Sequence, residues 1–106
     1  MGFFSFLKQP DINQGIKDYH EETNAVLVDV RTPQEYQSGR IPGSKNIPLQ
    51  SIDKIALVAE NKDVPLYVYC QSGARSGQAV GMLQHMGYTN VKNIGGIAAY
   101  SGKVER

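Results

Sequence analysis

Several function classes need features that this chain has little of. It carries one cysteine and two histidines in 106 residues, and its eleven basic and ten acidic residues leave a net charge of only +1 at pH 7. A single cysteine closes no disulfide within the chain and offers no resolving thiol, which excludes dithiol oxidoreduction inside one molecule. His20 and His85 stand far apart, so with that one thiol they make no zinc cage, and neither a metal nor a cofactor is expected. Balanced charge removes the electrostatic case for a nucleic-acid partner. No hydrophobic run is long enough to span a membrane. The opening Met1-Gly2-Phe3-Phe4-Ser5-Phe6-Leu7-Lys8 is apolar but short. It lacks the charged start and cleavage site of a signal peptide, and Phe6 stands where a myristoylation start needs Ser or Thr. A reducing, cytoplasmic setting fits an unpaired thiol best. The length suits one domain with a core that needs no disulfides. The expected organisation is an apolar arm over residues 1–9, the Phe3-Phe4-Phe6 arm, followed by one domain over residues 10–106.

What is present is an alternation of two hydrophobic periods. Ile12, Ile16 and Tyr19 share one helical face, and Asp11 and Gln14 have the spacing of a capping box. Ala25-Val26-Leu27-Val28-Asp29-Val30 is a continuous apolar run, the mark of a strand buried on both faces in a parallel sheet. Thr32-Pro33-Gln34-Glu35 signals a helix start, with Glu35 as the capping partner of Thr32, and Gly39 ends that helix. Lys45-Asn46-Ile47 reads as a short strand, and Ile52, Ile55, Ala56 and Ala59 mark an amphipathic helix. Leu66 to Tyr69 form the central strand. A helix follows with a buried stripe of Ala79, Val80, Met82, Leu83 and Met86, stopped by Gly87. Val91 to Ile94 make a last strand, with Gly95-Gly96 turning into Ile97 to Tyr100. The expected class is α/β, a mainly parallel central sheet of about five strands flanked by helices. Ligand crevices in such sheets lie at the carboxyl ends of the strands, where Asp29 to Arg31 and Cys70 both fall.

Cys70 stands where the apolar strand Leu66-Tyr67-Val68-Tyr69 breaks into Gln71-Ser72-Gly73-Ala74-Arg75-Ser76. Lone cysteines are most often small buried hydrophobes. This one sits in the layout of a thiolate nucleophile. Main-chain N–H groups of the tight loop can converge on the sulfur, the next helix points its positive end there, and Arg75 adds a cation at the rim. Such surroundings bring a thiol from a pKa of roughly 8.5 to about 7 or below. Gly73 lets the chain turn inward and Ala74 keeps the floor small. Asp29 and Arg31 are read as a buried ion pair that fixes the loop floor rather than as reacting groups. His20 and His85 fall on solvent-facing helix positions, and Tyr67 and Tyr69 read as core aromatics whose hydroxyls could approach the pocket.

Three ordered segments resemble the rhodanese-like sulfurtransferases: Asp29-Val30-Arg31-Thr32-Pro33-Gln34-Glu35-Tyr36, then Gly39-Arg40-Ile41-Pro42-Gly43-Ser44 with Asn46-Ile47-Pro48, then Tyr69 to Ser76 followed by Gly95-Gly96. The likeness spans roughly residues 10 to 102. Arg40 and Ser44 depart from the usual His and Ala, and Tyr100 stands where a Trp often follows the double glycine. The resemblance implies that Cys70 takes a sulfane sulfur from a donor such as thiosulfate, holds it as a persulfide and passes it to a thiol or cyanide acceptor. It also admits a protein partner in a sulfur relay. Amides from Gln71, Ser72, Gly73, Ala74 and Ser76 would cradle the anionic donor, and Arg75 would orient its sulfonate or hold the loop shape.

Two other readings compete. Cysteine phosphatases related to this fold also set a cysteine and an arginine around an anion-binding loop, but their loop is one residue longer than Cys70 to Arg75. No Asp or Glu occurs from Val64 to Val104, so a phosphatase general acid would have to come from outside that stretch, chiefly the amino-terminal half. Sulfite leaves thiosulfate without such an acid. The other reading is a non-catalytic persulfide carrier or interaction module; interaction modules of this fold usually lack the cysteine that is present here.

Overall fold

Asp11 starts the first helix. Its carboxylate accepts from the N–H groups of Asn13 and Gln14 at 3.0 and 3.4 Å, and α1 runs Ile12–Glu21 in the computed structural model, which describes residues 10–106. The reciprocal half of the capping box does not form, because the Gln14 side chain turns forward to donate to Asp18 at 2.9 Å. The strands are β1 Val26–Asp29, β2 Lys45–Asn46, β3 Leu66–Cys70 and β4 Val91–Gly96; α2 spans Pro33–Ser38 and α3 Ala74–His85. The apolar arm expected over residues 1–9 lies outside the described residues.

The strands form one sheet in the order β2-β1-β3-β4, every pair parallel. Among the described residues the sheet therefore has four strands rather than about five. Gly95 and Gly96 continue β4 instead of turning, and Ile97–Ala99 is a short 3-10 turn. All five residues of β3 are buried, which suits a strand paired on both edges and covered on both faces. Alternate side chains serve opposite layers. Val28 and Val68 pack with Ile52, Ile55, Ala79 and Leu83 on the α3 side; Leu27, Tyr67 and Tyr69 pack with Ile12, Ile16 and Ile94 under α1. A Cβ on Gly15 would collide with Ile94, so that glycine lets α1 settle directly on β4.

Two expectations about helical faces are corrected. The amphipathic helix expected at residues 52 to 59 is a 3-10 segment, Leu49–Leu57, interrupted at Ser51. A three-residue period stacks Leu49, Ile52 and Ile55 on one side, leaving Ala56 exposed and Leu57 81% exposed. On α3 the buried positions are Ser76, Ala79 and Leu83. Met82 is 45% exposed: spacing put it on the apolar stripe, but its side faces solvent. No helix among the described residues is long and apolar enough to cross a membrane.

Candidate active site

β3 carries Cys70 to the carboxyl edge of the sheet, and the chain reverses at once into α3. The reversal turns on Gly73, whose φ of +101° lies in the left-handed region. Only glycine takes that conformation without strain. Gly73 stands at the N-cap of α3 with no side chain to offer, and the sulfur of Cys70 sits at that turn instead, with the Gly73 N–H donating to it at 3.0 Å and the Ser76 amide of the first turn among its partners. The Ser76 hydroxyl lies 3.4 Å from the same sulfur. Burial pushes the Cys70 thiol up, but hydrogen bonding from Ser76 and from the amides of Gly73 and Ser72 outweighs it, and the net shift is downward.

The sulfur is at the floor of the ring rather than in an open pocket, since Cys70 is 1% exposed. Gln71, Ser72 and Ala74 form the exposed lip, Gly73 and Arg75 are half-buried, and Ser76 is buried. Beside the lip runs a cleft of about 270 Å³ walled by Gln71, Ser72, Gly95, Gly96, Ala98 and Ala99. Gly96 is required for that wall, because a Cβ there would strike the Gln71 carbonyl. That carbonyl also accepts from the Ala98 N–H at 3.2 Å.

Arg75 is tethered. Its Nη1 and Nη2 donate to Oε1 and Oε2 of Glu35 at 2.7 and 3.0 Å. This bidentate grip, with the Thr32 N–H also donating to Glu35, holds the Glu35 carboxyl down at about 2. Glu35 keeps its capping role, as its backbone N–H donates to the Thr32 hydroxyl. Its second role, as the partner of Arg75, is absent from the sequence reading. The acid-free stretch from Val64 to Val104 carries the signal: any carboxylate for Arg75 had to arrive from elsewhere in the chain.

Asp29 and Arg31 do form a buried ion pair, with Nη2 to Oδ2 at 2.8 Å. Arg31 also donates to the Gly39 carbonyl at 2.6 Å, so the pair braces the turn after α2 and not the floor of the cysteine loop. Asn46 ties the same strand end by donating to the carbonyls of Asp29 and Arg31, both at 3.0 Å. The Tyr69 hydroxyl is engaged away from the sulfur, donating to Ser44 Oγ and accepting from the Ile41 N–H, each at 3.1 Å. Tyr67 donates to Glu22, and burial with that carboxylate pushes its hydroxyl up to about 12. His20 and His85 are exposed. Among the described residues no cluster of His, Cys, Asp or Glu could hold a metal.

Asn93 of β4 is the residue that sequence reading missed altogether. Its Nδ2 donates to the Gly73 carbonyl at 3.1 Å, while its Oδ1 accepts from the Gly95 N–H at 3.0 Å and from Ser76 Oγ at 2.7 Å. The register of β3 on β4 shifts just there, with Val68 opposite Asn93 and Tyr69 opposite Gly95. That bulge re-aims the strand beside the loop.

A family model described as a rhodanese-like domain matches residues 13–103. The chain is 44% identical over 71 residues to the thiosulfate sulfurtransferase PspE of Escherichia coli, covering 66% of this chain and 68% of that protein. It is 42% identical over 79 residues to a sulfurtransferase of Allochromatium vinosum, covering 74% and 73%. Among solved structures, a rhodanese with anions from E. coli superposes with a TM-score of 0.73 at 37% identity, covering 77% of this chain and 98% of that one. A cysteine sulfur capped by loop amides at the end of a parallel strand, in a chain matched by this family nearly end to end, makes the protein a member of the rhodanese-like domain family.

Proposed function

We propose that this rhodanese-type sulfurtransferase takes its sulfur from thiosulfate or a related persulfide donor and carries it on Cys70. The Cys70 thiolate attacks the sulfane sulfur of thiosulfate, the donor S–S bond breaks, and its electron pair departs with sulfite. The persulfide then meets a thiophilic acceptor, a thiol or cyanide. Attack on the outer sulfur returns the bonding pair to Cys70, and no net oxidation or reduction of the enzyme remains. The observation that carries this reading is the Gly73 N–H, at the N-cap of α3, aimed at the sulfur at 3.0 Å. Amides so placed favour the anionic sulfur of both the free and the loaded enzyme. In the same reading the loop of Gln71, Ser72, Gly73, Ala74 and Ser76 receives the donor.

Arg75 acts here by fixing the loop: two of its five N–H donors are given to Glu35, which ties the cysteine loop to α2. That bridge also weakens the phosphatase alternative. A general acid must be protonated at working pH, and Glu35, the carboxylate joined to the loop, is held at about 2.

The test is a steady-state assay of the purified chain with thiosulfate and cyanide, alongside Cys70→Ser and mass spectrometry after donor alone. Thiocyanate turnover and the gain of one sulfur atom, both absent from Cys70→Ser, are expected. Sulfur uptake without turnover across thiol and cyanide acceptors would favour a carrier that discharges to a protein partner. No uptake from any sulfur donor would end the reading.

A further inference from the structure

The Ser76 hydroxyl has one proton and three acceptors within reach: Asn93 Oδ1 at 2.7 Å, the Gly73 carbonyl at 3.1 Å and the Cys70 sulfur at 3.4 Å. Which acceptor holds the proton follows from the orientation of Asn93. The Gly73 carbonyl can only accept, so the atom facing it is the Asn93 amide nitrogen. The Gly95 N–H can only donate, so it faces the amide oxygen. Ser76 Oγ therefore meets an atom that has lone pairs alone, and at 2.7 Å its proton belongs there. The hydroxyl then turns a lone pair toward Cys70, a fit for S–H and a poor one for S⁻.

We propose that Asn93 is a positioning residue that competes with the Cys70 sulfur for the Ser76 proton, making the buried hydroxyl a two-position switch. In the first position Ser76 donates to Asn93 and accepts from the Cys70 thiol, or rests beside the uncharged inner sulfur of a persulfide. In the second it turns to the sulfur as negative charge appears there. That charge appears when the acceptor takes the outer sulfur and the S–S bonding pair returns to Cys70. A charged acceptor makes the stronger hydrogen bond, and Asn93 keeps its Gly95 donor meanwhile. Turning the hydroxyl therefore leaves no oxygen bare. The same Asn93 side chain pins the Gly73 carbonyl, which already accepts from the Gly77 N–H at 3.1 Å. The charges near the sulfur are Arg75 and, acting on Arg75, Glu35 and Asp29; Asn93 contacts none of them through a hydrogen bond.

This inference rests on Cys70 as the sulfur-carrying nucleophile, but its test reads the thiol itself and not turnover, so the two fail separately. The thiol pKa is measured from the pH dependence of iodoacetamide alkylation in the native chain, Asn93→Ala, Ser76→Ala and the double variant. Removing the competitor frees the proton for the thiolate. Asn93→Ala is expected to lower the pKa by about half to one unit, and the same change in the Ser76→Ala background should do nothing. A rise, no shift, or an equal shift in both backgrounds would show that Asn93 merely supports the loop, and the switch would be wrong. A second measurement needs no Asn93 variant. Cys70 is the only cysteine, so the protein has one S–H stretching band. At acid pH that band should lie lower in the native chain than in Ser76→Ala, because the thiol donates to the hydroxyl. Coincident bands would overturn the proposal.

Discussion

At Arg75 a guanidinium that looks available in sequence is spoken for in space. Its fork closes on both oxygens of Glu35, which ties the cysteine loop to α2. Arg75→Ala is expected to lower sulfur transfer by about 10², measured as kcat/KM with thiosulfate. Glu35→Gln keeps an acceptor but loses the charge, and a loss of about tenfold should follow. Equal activity of Glu35→Gln and the native chain would mean that Arg75 works without its tether. The pH behaviour has a definite sign. The Glu35 carboxyl is held at about 2 against an ordinary 4.5, so the ion pair stabilises fully above about 4.5 and is lost as pH falls toward 2. A carboxyl chemical shift that titrates near 4.5 would contradict this. Cys70 was legible as a nucleophile because strand end, glycine and cation lie within seven residues of chain. Glu35 and Asn93 were not, since each reaches the loop only through folding, across 40 and 20 residues of sequence.

At the scale of elements, the join between β3 and α3 decides the geometry of the sulfur. Gly73 shows which force matters there. A Cβ would meet the Gly95 Cα at 3.5 Å, ordinary contact, yet φ is +101°. Gly73→Ala should therefore cost about 1–3 kcal/mol through backbone strain rather than collision, and a relaxed backbone would swing the amide off the sulfur. A higher thiol pKa together with a lower Tm is the expected pair of results. A lower Tm with an unchanged thiol would separate the turn from the site. Strands β1 and β3 were readable as continuous apolar runs, and α2 as a capping box ended by Gly39. The segment after Pro48 was harder to read, because Ile52 and Ile55 satisfy a three-residue period as well as a helical one. The bulge in β4 left no mark beyond a pair of glycines, and those fit a turn equally well.

For the molecule as a whole, the functional edge is where β1, β3 and β4 all end, and separate devices hold it. The Asp29–Arg31 pair is buried, at 0% and 4% exposure, and fastens β1 to the turn after α2. Asp29→Asn would strand the Arg31 charge inside the domain, at a cost of about 3 kcal/mol. For a domain of this size that is a fall in Tm of at least about 12 °C. A thermal midpoint equal to the native one would show that the pair contributes no stability. Composition and period made the parallel architecture evident in the sequence. The strand count was not evident, since hydrogen-bonded pairing, and not hydrophobicity, decides which segments join the sheet.

The sulfur that reacts also sits at the start of α3. Loading it converts a charged acceptor into a neutral divalent atom and moves the charge one bond outward, so the amides of the first helical turn must follow it or lose their partner. Amide-proton exchange at Gly73 and Ser76 should then differ between the empty and the charged enzyme. The helix would report on its own cargo through those exchange rates.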